Sequence, residues 1–189
     1  MRIIAGERRG MRLTAPPGQS VRPTSDLVRG AGMSQLGGFF DGHRALDLCA
    51  GTGAVALEWL SRGCSQAVAV ELDPKVAELL RENAARTRLA DRLEVLVGDV
   101  CAQLAALARR GDKFDLVWFD PPYDLGLHAP VLAQLAALPL LNADAEILVE
   151  SRDGLAAAWL NERFEVVSSR RYGACVLSRL RLMDGAPVL

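Results

Sequence analysis

From Arg44 onward, the apolar positions of the chain follow two alternating patterns. Short continuous apolar runs are typical of strands buried on both faces, whereas apolar residues that recur every three or four positions are typical of helices. Strands are predicted at 44–49, 66–71, 92–97, 114–120, 146–150, 164–171 and 175–182. Helices are predicted at 55–61, 74–84, 101–110 and 129–138. The alternation predicts an α/β fold whose mostly parallel sheet carries helices on both faces and ends in an antiparallel pair.

The first forty residues do not share this alternation. The charged residues before residue 30 are mainly basic: Arg2, Arg8, Arg9, Arg12, Arg22 and Arg29 stand against Glu7 and Asp26. Frequent glycine and proline predict short strands or a hairpin and then a loop. A weak helix is predicted near 25–36, where Gly30 and Gly32 each cost about 1 kcal/mol relative to alanine. We therefore divide the chain into a basic N-terminal extension, 1–40, and a domain spanning 41–189.

The composition is typical of one globular domain. Of the 189 residues, 50% are hydrophobic and 24% are charged, and this length is enough to bury a sizeable core. The formal net charge of -1 provides no overall positive field that would attract nucleic acid. Any contact with nucleic acid therefore has to use a local basic patch.

The cysteines and the apolar runs limit the compartment in which the protein works. Cys49, Cys64, Cys101 and Cys175 form no Cys-x-x-Cys pair, and the two histidines lie far from them in sequence. This spacing predicts neither a disulfide framework nor a zinc site and fits a reducing environment. We find no signal peptide and no run of about 18 apolar residues that would predict a membrane span, so we expect a cytoplasmic protein.

Candidate cofactor residues follow three successive predicted strands. The stretch Asp47-Leu-Cys-Ala50-Gly51-Thr-Gly53 is a strand-to-helix turn whose glycines allow a sharp bend and close approach of a ligand. Glu71 ends the next strand, where a carboxylate can accept hydrogen bonds from both ribose hydroxyls, and Asp99 ends the third, where it could meet an adenine amino group. Each feature alone has a structural explanation: the glycines as a tight turn, Glu71 as an exposed strand end and Asp99 as a helix N-cap. The three together predict a nucleotide-like cofactor.

The position of Asp47 favours one cofactor class over another. Its negative charge, four residues before Gly51, would repel a pyrophosphate but would suit the ammonium and sulfonium groups of S-adenosylmethionine. An NAD site stays open as the weaker alternative. The residues assigned to cofactor binding are Asp47, Ala50, Gly51, Gly53, Glu71, Leu72, Asp99, Val100 and Asp120.

The run Asp120-Pro121-Pro122-Tyr123 follows the fourth predicted strand directly. The two prolines could serve only to end the strand, because proline cannot extend the hydrogen-bond ladder. That structural role does not explain the aspartate and the tyrosine on either side of them. An aryl amine on a base is a poor nucleophile because its lone pair is delocalised into the ring. The Asp120 carboxylate and the Pro121 carbonyl can accept hydrogen bonds from the N–H groups of the amine and so orient its lone pair. Tyr123 can stack on the base, a contact that stabilises binding by about 1–3 kcal/mol. We predict these four residues to be catalytic in a direct in-line methyl transfer to an extruded base, without a metal.

With these motifs in place, the sequence resembles the class I methyltransferases and, among them, the bacterial family that methylates guanine N2 in small-subunit (16S) ribosomal RNA. The matching segments are Arg2-Ile-Ile-Ala-Gly6, Arg9-Gly10, Val21-Arg22-Pro23-Thr24, Asp26, Val28-Arg29, Asp47–Gly53, Leu60–Gly63, Glu71–Asp73, Asn83, Asp99 and Asp120–Tyr123. The glycine loop is common to the superfamily and Asp-Pro-Pro-Tyr indicates amino methylation. Arg22-Pro23-Thr24 is the part that indicates the RNA family.

The resemblance implies a fold, a cofactor and a partner. The fold would be the Rossmann-like class I methyltransferase sheet, seven mostly parallel strands with a C-terminal antiparallel pair, and 41–189 would be the catalytic domain. The cofactor would be S-adenosylmethionine, which leaves as S-adenosylhomocysteine. The partner would be ribosomal RNA within the small subunit or an assembly intermediate, and the enzyme would act as a monomer. The residues implied to contact RNA are Arg2, Arg9, Arg22, Thr24 and Arg29.

Other functions stay open at this point. Methylation of adenine N6 or of a glutamine amide poses the same chemical problem and uses similar Pro-Pro-Tyr elements. An NAD-dependent oxidoreductase and a non-catalytic RNA-binding module are further alternatives. The segment Gly30-Ala-Gly32-Met-Ser-Gln-Leu-Gly37-Gly38 departs from the family's usual helix, so contacts that this helix makes in the family cannot be transferred to the chain.

Overall fold

The computed structural model describes residues 1–15, 26–160 and 162–183. Its centre is a seven-stranded sheet in the order β3-β2-β1-β4-β5-β7-β6. The strands are β1 Arg44–Leu48, β2 Gln66–Glu71, β3 Leu93–Val97, β4 Phe114–Phe119, β5 Leu141–Ser151, β6 Phe164–Tyr172 and β7 Cys175–Leu182. The first five strands are parallel, while β7 runs antiparallel to both β5 and β6. The predicted fold class is confirmed.

Helices cover both faces of this sheet. They are α1 Asp26–Gln35, α2 Ala54–Ser61, α3 Pro74–Thr87, α4 Val100–Arg110 and α5 His128–Ala137. One face packs on α1, α2 and α3 in a hydrophobic cluster that includes Trp59 and Trp118, whose rings meet edge to face at 6.3 Å. The other face packs on α4 and α5 around Phe119 and Leu132. Among the described helices, none has the length and apolar character needed to cross a membrane.

Capping residues set where the helices at the carboxyl edge begin. The Asp73 carboxylate accepts the Lys75 N–H at 2.7 Å and Pro74 occupies the first position of α3, as the sequence predicts. The Asp99 carboxylate accepts the Ala102 N–H at 2.9 Å and so begins α4. The order of strands reverses between β1 and β4, and ligands of open α/β sheets bind at such a reversal.

Strand β5 starts earlier than the sequence predicts, whereas helix α1 agrees with its prediction. Strand β5 begins at Leu141 rather than at 146, because Leu141 pairs with Phe114 ahead of an irregularity in the β4–β5 register. The polar residues that follow Leu141 hide this start from a hydrophobicity pattern. Helix α1 lies within a residue of its predicted bounds, and Gly32 has a packing reason: a Cβ there would stand 2.5 Å from the Trp118 ring. Gly32 therefore lets α1 lie directly on the sheet.

The N-terminal extension forms the predicted hairpin and packs on α2. Arg2 and Arg12 make an antiparallel bridge, and Ile3 and Leu13 are buried in the same cluster as Trp59. The buried Glu58 carboxylate of α2 fixes the hairpin by accepting the N–H groups of Ile4 at 2.7 Å and Ala5 at 2.9 Å. The extension is therefore held by hydrogen bonds that its own sequence does not reveal.

Candidate active site

A cavity of about 870 Å³ lies at the carboxyl edge of the parallel strands. It brings together nearly all of the residues predicted to bind cofactor or to catalyse. Those that line it are Asp47, Ala50, Gly51, Glu71, Leu72, Asp99, Val100, Asp120, Pro121, Pro122 and Tyr123. The volume suits a nucleoside-sized ligand together with part of a second molecule.

Asp47 combines a structural bond with a place in the cavity wall. Its side chain is buried, and Oδ2 accepts the Ala56 N–H at 2.9 Å at the start of α2. Burial raises the pKa of Asp47, the Ala56 bond opposes that rise, and the neighbouring Asp120 and Glu71 carboxylates add to it, so that the pKa is about 8. A helix N-terminus is where a dinucleotide pyrophosphate binds, and here a carboxylate already occupies it. This arrangement disfavours NAD and favours a cationic ligand.

Asp47 should make cofactor affinity depend on pH. A bound cation favours the ionised carboxylate, so below a free pKa of about 8 binding has to release a proton. We expect affinity for S-adenosylmethionine to rise with pH by up to about tenfold per unit until about pH 8 and then to level off. The Asp47→Asn variant should bind more weakly and lose this slope. Calorimetry in buffers of different ionisation enthalpy measures the released protons.

The control for this titration is Asp91→Asn, at an exposed position outside the cavity lining. This variant should keep the wild-type slope. The same raised pKa means that the unliganded fold holds the Asp47 proton more tightly than the unfolded chain does. The Asp47 contribution to stability is therefore lost as pH rises from about 4 to about 8. A cofactor affinity that is flat across that range would refute this role of Asp47.

The glycine loop is held between β2 and α3. Glu71 accepts the Gly51 N–H at 2.8 Å and the Asp73 N–H at 2.9 Å, one on each carboxylate oxygen. A carboxylate oxygen can accept a second bond, so Glu71 keeps the capacity to bind ribose hydroxyls. Gly53 has a φ of 79°, and a Cβ there would stand 2.7 Å from Leu80, behind the cavity wall. Its role is therefore the turn and the close packing, not direct contact with the cavity.

Cys49 is a strained residue that the sequence did not single out. It has a φ of 62°, a left-handed conformation that is uncommon outside glycine, and it lines the cavity. Burial and the nearby Glu71 and Asp47 carboxylates raise the pKa of its thiol to about 12. The thiol therefore stays protonated and is a poor nucleophile, and the strain serves to aim the loop.

The Asp-Pro-Pro-Tyr run turns the chain across the cavity. Asp120 follows β4, Pro121 is buried, and Pro122 leads into a 3₁₀ turn at Tyr123–Leu125. The Tyr123 hydroxyl donates to Glu150 Oε1 at 3.1 Å. Burial and the Glu150 charge raise the pKa of Tyr123 well above its usual value, so the hydroxyl remains a donor.

Tyr123 has a cation on one face of its ring. The guanidinium carbon of Arg152 stands 5.6 Å from the ring centroid, within the range of a cation–π contact. A base that stacks on Tyr123 must therefore use the other face or displace Arg152. The Arg152 side chain is 59% exposed and also donates to Asp124 at 3.2 Å, so its displacement is inexpensive.

Sequence reasoning also missed Glu150, Arg152 and Tyr172, which line the cavity. Glu150 is only 6% exposed near the end of β5, Arg152 follows that strand, and Tyr172 ends β6. Glu150 could have been found, because it is a charged residue at the carboxyl end of a predicted apolar strand. Tyr172 could not, because only the pairing of the C-terminal strands brings it to the cavity.

The residues implied to contact RNA lie in different environments. Arg2 and Arg9 are exposed on the hairpin, while Arg22 and Thr24 lie outside the described residues. The assignment of Arg29 to RNA is wrong, because its side chain is fully buried. Its guanidinium donates to the Arg2 carbonyl at 2.5 Å and to Asp26 at 2.9 Å, and Nε lies 3.6 Å from Glu58. Arg29 therefore joins the extension to α1 and α2.

The charge of the cavity fits the cofactor predicted from the sequence. Carboxylates from five strand ends face it, namely Asp47, Glu71, Asp99, Asp120 and Glu150. Such a wall attracts the ammonium and sulfonium of S-adenosylmethionine and repels phosphates. Glu71 is placed for ribose hydroxyls. Asp99 is exposed and caps α4 through Oδ1, so its predicted cofactor contact would be made in addition to a structural bond.

Comparisons with known proteins agree with this assignment. The protein named Ribosomal RNA small subunit methyltransferase D of Escherichia coli is 34% identical over 151 residues, 80% of this chain and 74% of that protein. The solved structure of Escherichia coli yhhF superposes with a TM-score of 0.84 at 28% identity, covering 98% of this chain and 99% of that one. An RNA methyltransferase of Salinibacter ruber, solved with S-adenosyl-L-homocysteine, shares the fold with a TM-score of 0.68 at 17% identity, covering 88% of this chain and 97% of that one.

Fold and site together define a class I methyltransferase, a class whose methyl donor is S-adenosylmethionine. The chain belongs to the family described as Conserved hypothetical protein 95, which matches residues 1–181. The predicted fold and the resemblance to the ribosomal RNA methyltransferases are thereby confirmed.

Proposed function

We propose that the protein transfers a methyl group from S-adenosylmethionine to the exocyclic N2 amine of a guanine in small-subunit ribosomal RNA, in the cytoplasm where ribosomes assemble. The observation that carries the proposal is the single cavity that joins the cofactor edge, Gly51 and Glu71, to Asp120 and Tyr123. The name of the 34%-identical Escherichia coli relative supports the choice of RNA.

The residues of the chain account for the steps around the transfer. S-adenosylmethionine, when bound, supplies a methyl group that the sulfonium charge makes electrophilic. The Asp120 carboxylate and the Pro121 carbonyl accept hydrogen bonds from the amine and point its lone pair at that carbon. Tyr123 packs against the face of the extruded base. Because the geometry is prepared in advance, positioning provides most of the rate enhancement.

RNA would reach the cavity over the exposed side of the hairpin. Met1 lines the cavity, and the adjoining Arg2 has a side chain that is 69% exposed. Arg9 is exposed at the hairpin turn, which packs against Ser61 at the end of α2, and Arg152 lines the cavity beside Tyr123. These exposed arginines would offset the lack of an overall positive charge. The small-subunit context and the monomeric state belong to the same proposal.

We expect the double variant Arg2→Ala with Arg9→Ala to bind small-subunit RNA about tenfold more weakly, while its affinity for S-adenosylhomocysteine holds. Each lost phosphate contact should also reduce the salt dependence of binding by about one unit of slope. Filter binding across a salt series measures both. Arg81→Ala with Arg109→Ala removes two exposed arginines from helices outside the cavity and should change neither quantity. If RNA affinity depends on salt concentration equally in the two double variants, Arg2 and Arg9 do not contact RNA.

The decisive experiment is transfer of a radiolabelled methyl group into small subunits that lack the modification, followed by nucleoside mass analysis. The proposal expects label in N2-methylguanosine. Label in N6-methyladenosine would instead indicate methylation of adenine, and label in protein would indicate methylation of a glutamine amide. Calorimetry with S-adenosylhomocysteine and NAD checks the cofactor, since binding of NAD alone would exclude the transferase.

A further inference from the structure

Glu150 stands beside the catalytic aspartate without having a place in the mechanism above. The register of β4 on β5 pairs Trp118 with Leu148 and Phe119 with Val149, so Asp120 and Glu150 follow as neighbours at the carboxyl edge. Adjacent strands are about 4.8 Å apart, which allows two neighbouring carboxylates to contact adjacent groups of one molecule. Both residues line the cavity.

Glu150 is held in place through both its side chain and its backbone. Tyr123, the last residue of the catalytic run, donates its hydroxyl to Oε1 at 3.1 Å. The ring of the buried His128 lies 3.0 Å, through Nε2, from the Glu150 carbonyl oxygen and stacks on Trp159 at 4.4 Å. A carboxylate has two oxygens and accepts about four hydrogen bonds, so a substrate donor can bind Glu150 alongside the Tyr123 hydroxyl.

The three amino bases differ at the ring nitrogen next to the exocyclic amine. In guanine that nitrogen, N1, carries a hydrogen and is a donor. In adenine it is N1 and in cytosine N3, and both carry a lone pair instead. An extruded base is read along this Watson–Crick edge. A carboxylate that faces this nitrogen therefore attracts guanine and repels the other two bases.

We propose that Glu150 selects guanine by accepting its N1–H while Asp120 and Pro121 hold the neighbouring N2 amine. This inference rests on the proposed function, because it concerns the base at that same site. Tyr123 has a second role in it, since its hydroxyl orients the Glu150 carboxylate. A site built around such a hydrogen bond discriminates strongly, because the wrong base sets a ring-nitrogen lone pair against a buried carboxylate.

The test uses 2,6-diaminopurine, which keeps the N2 amine of guanine but has a lone pair at N1. After the modified nucleotide has been located by mass analysis, that position of the small-subunit RNA is replaced by 2,6-diaminopurine and the RNA is assembled into subunits. The wild-type protein should methylate guanine at least about 100-fold faster, as kcat/KM, than 2,6-diaminopurine. Equal rates on the two bases would overturn the role of Glu150 while leaving guanine methylation itself intact.

The Glu150→Gln variant has nearly the same shape, but its amide N–H can donate to the N1 lone pair. We expect it to lose at least tenfold in kcat/KM on guanine and to narrow the preference to less than about tenfold. Glu165→Gln, at an exposed position of β6, should keep the wild-type preference. A Glu150→Gln variant with unchanged preference would overturn the inference. Affinity for S-adenosylhomocysteine reports whether the variant is folded. If the variant does not fold, the wild-type rates on guanine and on 2,6-diaminopurine still test the inference.

The two proposals fail in different ways. If the wild-type protein labels no guanine in the small subunit, the proposed function fails and the Glu150 inference fails with it. If guanine is labelled but 2,6-diaminopurine is labelled equally well, only the inference fails.

Discussion

Replacement of Asp120 by alanine is expected to lower methyl transfer by about 100-fold or more, with a much smaller loss of affinity for S-adenosylhomocysteine. Asp120 directly follows β4, next to the buried Pro121, and in the proposed mechanism these two residues provide the acceptors that orient the amine. Misplacement of a reacting group by about 1 Å can cost about 100-fold in rate, and loss of an orienting acceptor permits at least that. Single-turnover transfer with saturating cofactor measures the effect separately from binding.

Asp120→Asn separates two roles of the carboxylate. The asparagine side chain keeps an acceptor oxygen but loses the charge, so it should retain more activity than alanine if Asp120 mainly orients the amine. Equal losses in the two variants would indicate that the charge or proton acceptance matters more. Asp153→Ala, an exposed position just beyond β5 with 81% of its side chain accessible, is the matched control and should transfer normally. Transfer by Asp120→Ala within a few fold of wild type would remove Asp120 from the catalytic residues.

The sequence predicted the sheet and most of the site because both depend on local rules. Buried parallel strands appear as continuous apolar runs, and their carboxyl ends meet at one edge, which is why Glu71, Asp99 and Asp120 share a cavity. Asp73 followed by Pro74 predicts the start of α3, and the structure places it there. The choice between a cationic cofactor and a pyrophosphate also came from one local feature, Asp47.

What the sequence could not predict depends on contacts between distant segments. Arg29 was assigned to RNA through the resemblance to the RNA methyltransferase family, yet the carboxylate of Glu58, 29 residues later, lies 3.6 Å from it in the interior. The left-handed backbone of Cys49 has no sequence marker. A role for Glu150 at the site could be inferred only once the β4–β5 register placed it beside Asp120. Base selection is therefore a property of strand pairing, which the motif Asp120–Tyr123 alone does not contain.

Glu58 is where the largest loss of stability is expected. Its fully buried carboxylate accepts the Arg62 Nε–H at 2.7 Å and two backbone N–H groups of the hairpin, Ile4 and Ala5, and lies 3.6 Å from Arg29. Removal of one partner from a buried ion pair leaves an uncompensated charge and typically costs about 3–5 kcal/mol. We expect Glu58→Ala to lower the free energy of unfolding in urea by about that amount.

The same variant should release the N-terminal hairpin before the rest of the fold. Because Glu58 accepts their N–H groups, the amides of Ile4 and Ala5 should exchange with deuterium much faster in Glu58→Ala than in the wild type, ahead of the amides of β1 and β4. Glu82→Ala, an exposed glutamate on α3, should change neither the free energy of unfolding nor this exchange. Loss of less than about 1 kcal/mol in Glu58→Ala would mean that the ion pairs are no better than apolar packing. Hairpin detachment should also weaken RNA binding, because Arg2 is then no longer held next to Met1 at the cavity.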